Sequence, residues 1–156
     1  MRIITILLLI LGGFAHASER ERVGETLDKL HQYAAQADWH RYFDLYHPDA
    51  TFIGTDASET WTIGEFKSYA KPVFNNGKGW TYEPQNRHIY FSPDGKVAWF
   101  DEMLSNASYG VTRGTGVLTL EEGAWKIRQY HLTIPIPNTL ATDIAADIKA
   151  FSASKP

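Results

Sequence analysis

Cysteine is absent from the 156 residues, which excludes a disulfide framework and any thiolate metal centre. An excess of charge of one sign is missing too: 15 Lys and Arg stand against 18 Asp and Glu, for a formal net charge of −3. With no basic stripe to neutralise phosphates, nucleic acid is not an expected partner. Internal repeats, linkers and low-complexity segments are also lacking, which leaves one globular domain. No apolar run reaches the roughly 20 residues needed to span a bilayer. Core material, by contrast, is plentiful. Hydrophobic residues make up 44% of the chain and aromatic ones 13%, against 21% charged, a composition that rules out intrinsic disorder.

The one sustained apolar run, Ile3 through Leu11, follows Arg2 and precedes Ala15-His16-Ala17. A short positive region, an apolar stretch and a small-x-small cleavage site make up a secretory signal, so residues 1–17 should be removed and the mature chain should start at Ser18. Without Arg2 the mature chain is net −4, and its expected location is periplasmic or secreted, with no membrane span after cleavage. Disulfides would be permitted there, yet the chain has no Cys, so its core must suffice alone. At about 140 residues, folding hides roughly two thirds of the surface the unfolded chain exposes. Asn106-Ala107-Ser108 has the pattern of a glycosylation sequon but reads as an ordinary loop.

Val23, Leu27, Leu30 and Ala34 recur at i, i+4, i+7 and i+11, one stripe of a helix over residues 19–37. Asp38 reads as the N-cap of a second helix, 39–46, whose Trp39, Tyr42, Phe43 and Tyr46 share a face before His47-Pro48-Asp49 ends it. A short strand is expected at 51–54. Thr62-Ile63-Gly64-Glu65 matches a capping box, and the helix it opens should bury Phe66, Tyr69 and Val73 or Phe74, with Pro72 distorting its last turn.

From Trp80 the period changes to two, which predicts strands at 81–91, 97–104, 111–120 and 125–134, with turns at Pro93-Asp94-Gly95 and Glu122-Gly123. These elements form a domain of residues 18–138. In the tail, 139–156, Leu140, Ile144, Ile148 and Phe151 lie on one face of an amphipathic helix that should pack on the domain or a partner. Early helices followed by a meander imply an α+β fold, a cone-shaped half-barrel with the N-terminal helices packed on a strongly curved antiparallel sheet. The mouth of such a cone is a natural ligand pocket.

Pairing Leu120 with Trp125 across the last turn puts Trp125, Ile127, Gln129, His131 and Thr133 on one face, with Gly116 opposite Gln129 and Gly114 opposite His131. Two missing side chains there mark a bend, or space for a ligand. The Pro93-Asp94-Gly95 turn likewise pairs Ile89 with Trp99 and Arg87 with Asp101, while His88, Phe100 and Glu102 share the other face. Asp101 is preferred over Glu102 as the interior acid, and a slip of one residue would rearrange every pair. The loop from Gly54 to Trp61 adds Asp56 and Glu59 beside an indole suited to serve as a lid or a core plug.

Gly114-Thr115-Gly116-Val117-Leu118, the turn Glu122-Gly123, Trp125-Lys126-Ile127, Tyr130-His131-Leu132-Thr133 through Pro137-Asn138, and the early His47-Pro48-Asp49-Ala50-Thr51-Phe52 occur in this order. Together they resemble the SnoaL-like branch of the nuclear transport factor 2-like superfamily over about residues 20 to 138. The resemblance implies a cone-shaped α+β barrel with a deep pocket, often dimerised through its sheet, and hence a homodimer. It also implies a choice of functions, since isomerases, polyketide cyclases, dehydratases and non-catalytic modules share this fold.

For an enzyme, the expected chemistry is general acid/base catalysis on a small, partly apolar molecule. His131 would carry the proton, Asp101 or Asp56 would orient it or act as base, and Arg87 or Arg113 would stabilise an enolate or carboxylate. Such transfers need no cofactor. Glu59, Glu102 and Gln129 complete the expected ligand contacts. A binding module would instead use Trp61, Trp99 and Tyr82 as apolar walls, and an association domain would hold a partner by its sheet and final helix. No metal is expected, because the histidines lack an H-E-x-x-H or comparable spacing. Nucleophilic serine chemistry is not expected either, for want of a G-x-S-x-G elbow.

Overall fold

Local signals start the second and third helices where the sequence predicts, whereas the first, expected over 19–37, already begins at Arg2. In the computed structural model, which describes the backbone of residues 2–154 and side chains from Glu19 onward, α1 is Arg2–Ala35 and α2 is Trp39–Asp44. The export signal read at residues 1–17 falls outside those described side chains. Asp38 caps α2 by accepting the Arg41 N–H at 3.1 Å. The third helix, α3 (Ile63–Asn75), opens with the complete capping box of Thr62 and Glu65. It contains Pro72 and buries Phe66 and Phe74, whereas Tyr69, expected in the core, is half exposed at the pocket mouth.

Six strands follow the order β2-β1-β6-β5-β4-β3 in a curved, unclosed sheet. They are β1 (Tyr46–Ile53), β2 (Thr60–Thr62), β3 (Glu83–Phe91), β4 (Val97–Asn106), β5 (Gly110–Glu121) and β6 (Ala124–Thr133). All neighbours are antiparallel except β1 and β6, whose parallel pairing makes the sheet mixed. The fold is the expected α+β half-barrel. Its first strand starts earlier than expected, at Tyr46, because the Leu45 carbonyl already accepts the Ile127 N–H of β6 at 2.9 Å. His47-Pro48-Asp49 therefore lies within β1, at a break in register between the Tyr46–Ile127 and Thr51–Gln129 pairs. Proline, which has no N–H to donate, is tolerated at such an irregularity.

The stripe of Val23, Leu27, Leu30 and Ala34 is buried against the sheet. Trp125 Nε1 donates to Glu19 at 2.6 Å and fixes the middle of α1 to the start of β6. Beyond the C-terminal end of α1, Tyr42, Phe43, Phe66 and Phe74 interlock with Trp80 in edge and tilted contacts. Full burial of one such ring contributes about 1.5–3 kcal/mol. The tail forms α4 (Ala141–Ala153) as expected, but none of its residues is buried. Among the described residues no helix is long and apolar enough to cross a membrane.

Candidate functional site

A cavity of about 160 Å³ opens between the early helices and the inner face of the sheet. Leu30, His31 and Ala34 of α1 form one side, Tyr130 and Leu132 of β6 another, and Trp61, Tyr69, Tyr82 and Tyr109 stand nearer the mouth. Nine of its sixteen lining residues are aromatic. Ring planes in this wall run nearly parallel: Phe52 stacks on Phe66 at 3.8 Å, and Trp61 on Tyr69 at 4.6 Å.

At the inner wall lies Glu102, fully buried on β4 between Phe100 and Leu104. Three donors converge on its carboxylate. His31 Nε2 lies 2.7 Å and the Tyr130 hydroxyl 3.2 Å from Oε1, while Arg87 Nε donates to Oε2 at 2.8 Å. Arg87 continues outward through Nη1 to Asp28 at 2.7 Å and to the Gly24 carbonyl at 3.1 Å, both on α1. Burial alone would raise the Glu102 carboxyl, but the His31 hydrogen bond and the Arg87 guanidinium outweigh it and hold it below its ordinary range. An ionised carboxylate only accepts, so His31 donates from Nε2, and in its neutral form the lone pair is on Nδ1. Burial, and then the neighbouring Glu102 charge, push the Tyr130 phenol well above its ordinary value, so it stays protonated. The chemical capacity of this group is proton transfer: a base nitrogen, an anion that orients it and a neutral hydroxyl whose one proton is given to that anion.

Gly114 makes the convergence possible. A Cβ on its α-carbon would stand 2.4 Å from the Tyr130 hydroxyl and 3.0 Å from the Glu102 carboxylate. Space beside Gly114 and Gly116 was expected from the sequence. It is filled by the protein's own Tyr130 and Phe100.

Several expected site residues lie elsewhere, for two reasons of register. Ser92 and Asp94 bond across the first turn and hold a four-residue loop, 93–96, so Arg87 pairs with Glu102 and His88 with Asp101. Asp101 therefore points to the outer face, 2.9 Å from His88, and Glu102 takes its interior place. In β6, Ile127 faces Leu118 and Gln129 faces Val117, which leaves Arg128 as a bulge. Beyond it Tyr130 and Leu132 turn inward, while Gln129 and His131 turn outward. Arg113 is exposed and Trp99, 45% exposed, stacks on Tyr90 of the same outer face. Asp56 accepts the Ser58 N–H in the exposed rim loop and does not line the cavity. Glu59, Trp61 and Tyr82 do line it, and Arg87 and Glu102 stand behind its His31–Tyr130 wall.

His31 and Tyr130 were not among the expected site residues. The signal for His31 was its position: with Leu27, Leu30 and Ala34 it completes an i, i+3, i+4, i+7 stripe, so a polar ring was entering the core. Tyr130 carried no such signal, because its inward direction depends on the bulge at Arg128.

Comparison with known proteins bears on this architecture. A family model described as SnoaL-like domain matches residues 23–137. A candidate dehydratase of the nuclear transport factor 2-like family from Streptomyces avermitilis superposes with a TM-score of 0.66 at 12% identity, over 78% of this chain and 99% of that one. A candidate scytalone dehydratase from Novosphingobium aromaticivorans gives 0.65 at 11% identity, over 78% and 87%. A candidate association domain of a calcium/calmodulin-dependent protein kinase II from Xanthomonas campestris gives 0.56 at 21% identity, over 74% and 86%. Among curated proteins there is no match. The structural likenesses show the shared cone, and the family model, covering most of the chain, shows more: this protein belongs to the SnoaL-like domain family.

Proposed function

We propose that the cavity is the site of cofactor-independent general acid/base catalysis on a small, partly apolar molecule, of the isomerase, cyclase or dehydratase type. His31 carries the proton, Glu102 orients its ring, and Tyr130 supplies a neutral hydroxyl beside them. The observation that carries this reading is the His31–Glu102 bond at a cavity wall, 2.7 Å long and with the carboxylate fully buried. This trio takes the roles first expected of His131, Asp101 and Arg113. The test is exchange of α-protons from a panel of small cyclic ketones in deuterated water, followed by proton NMR. The protein should catalyse exchange, and His31→Ala should lose about 10²–10⁴-fold in rate. Equal rates in the two proteins would overturn the assignment.

A non-catalytic binding module is the second reading, favoured by the aromatic lining of the cavity. Under it, Trp61→Ala should weaken ligand affinity while His31→Ala leaves it unchanged and no exchange occurs. We further propose an exported mature chain, residues 18–156, in which the domain 18–138 pairs with a second copy through the outer sheet face around Tyr90 and Trp99. A measured N-terminus at Ser18 and a dimer mass by light scattering are the expected results.

A further inference from the structure

Glu59 stands at the aromatic end of the cavity with no counter-charge. Its side chain folds over Gly54, where a Cβ would overlap the carboxylate, so the bare α-carbon is what admits it. Its side-chain hydrogen bond runs from the Asp56 N–H to Oε2 at 3.1 Å. Among the described residues it has no ion-pair partner, although it is half-buried. Among the described residues no lysine or arginine lines the cavity. The cation–π contacts of the described residues fall on Tyr33, Phe43 and Phe91, all outside it. Trp61, Tyr69 and Tyr82 thus line the cavity beside an uncompensated anion, with no protein cation over their rings.

We infer that the cavity takes an organic cation, a small molecule with an ammonium head held by Glu59 and the aromatic rings at the mouth. An aromatic face attracts a positive charge through its quadrupole, and a carboxylate in a partly desolvated setting attracts it more strongly still. A carboxylate or phosphate ligand would meet repulsion from Glu59 and find no lysine or arginine in the lining. The neutral remainder of the ligand then faces the inner wall, where His31 and Tyr130 stand. The inference rests on the cavity being a small-molecule site, and it names the class of molecule.

The test is isothermal titration of the full chain with choline and with 3,3-dimethylbutan-1-ol, its neutral isostere, and with phenol as a generic apolar probe. Choline should bind about tenfold or more tightly than the isostere, in line with a cation–π and charge contribution of that order. Glu59→Gln, which keeps an oxygen acceptor for the Asp56 N–H and so keeps the loop, should remove this preference. A preference that persists in Glu59→Gln would overturn the role of the carboxylate. Binding of the isostere or phenol as tightly as choline would overturn the cation inference and leave the small-molecule site standing. If none of the three binds, both readings fall together.

Discussion

The two faces of one sheet carry the same kinds of residues and put them to different uses. On the inner face, Arg87, Glu102 and Gly114 follow one another across β3, β4 and β5, and Leu132 completes the row on β6. On the outer face the adjacent row reads His88, Asp101, Thr115 and His131. Each row contains an acid beside a basic side chain. The inner acid is fully buried and accepts three donors, whereas the outer pair of His88 and Asp101 has side chains 62% and 41% exposed. A pair in water contributes little, because solvent screens it and two side chains must be ordered to form it. A buried pair is held in place by the cost of leaving either partner alone. Residue type alone does not distinguish the two rows; burial does.

This contrast is open to direct attack, and the largest effect is expected at its centre. Arg87→Met leaves Glu102 buried without its guanidinium and should cost about 3–5 kcal/mol in chemical denaturation. Acid should act on the same group. The folded-state carboxyl of Glu102 lies below the ordinary 4.5, so between those two values the unfolded chain binds more protons. The stability it contributes is complete above 4.5 and is lost as pH falls through the lower, folded value. Melting temperatures recorded from pH 6 downward should show that loss, and Glu102→Gln should flatten it. Gly114→Ala tests the closeness of the inner row by pushing a methyl group into Tyr130 and Glu102, at an expected cost of about 1–3 kcal/mol. Smallest of all, Asp101→Asn on the outer face should change stability by less than about 1 kcal/mol. An outer-face loss as large as that of Arg87→Met would erase the distinction.

Elements set by nearby residues were legible in the sequence. Asp38 and Thr62 cap the helices they were expected to cap, since a cap needs only a side chain and the next three backbone N–H groups. Glu59 and Trp61 were placed beside the cavity because the end of the rim loop and the start of β2 carry them close together. The inner acid was not, because choosing between Asp101 and Glu102 requires the length of the loop at 93–96 to within one residue. His131 was chosen over Tyr130 because strict alternation was carried through Arg128. Strand existence follows from composition and period, but facing depends on a parity that one extra residue reverses.

That extra residue sets a limit on redesign. Arg128 is held outside the sheet by Thr119 at 3.1 Å, by His47 at 2.8 Å and by Glu121 at 3.0 Å, so its detour has anchors of its own. Deleting it would make the ladder continuous with the same partners, Ile127 on Leu118, Gln129 on Val117 and Tyr130 on Gly116, and would leave the facing of every later residue unchanged. Keeping the residue while flattening its detour would instead carry strict alternation through it, and an imidazole would then swing toward the cavity and a phenol toward the solvent. Losing the detour without losing the residue is thus closer to turning a glove inside out than to trimming a seam.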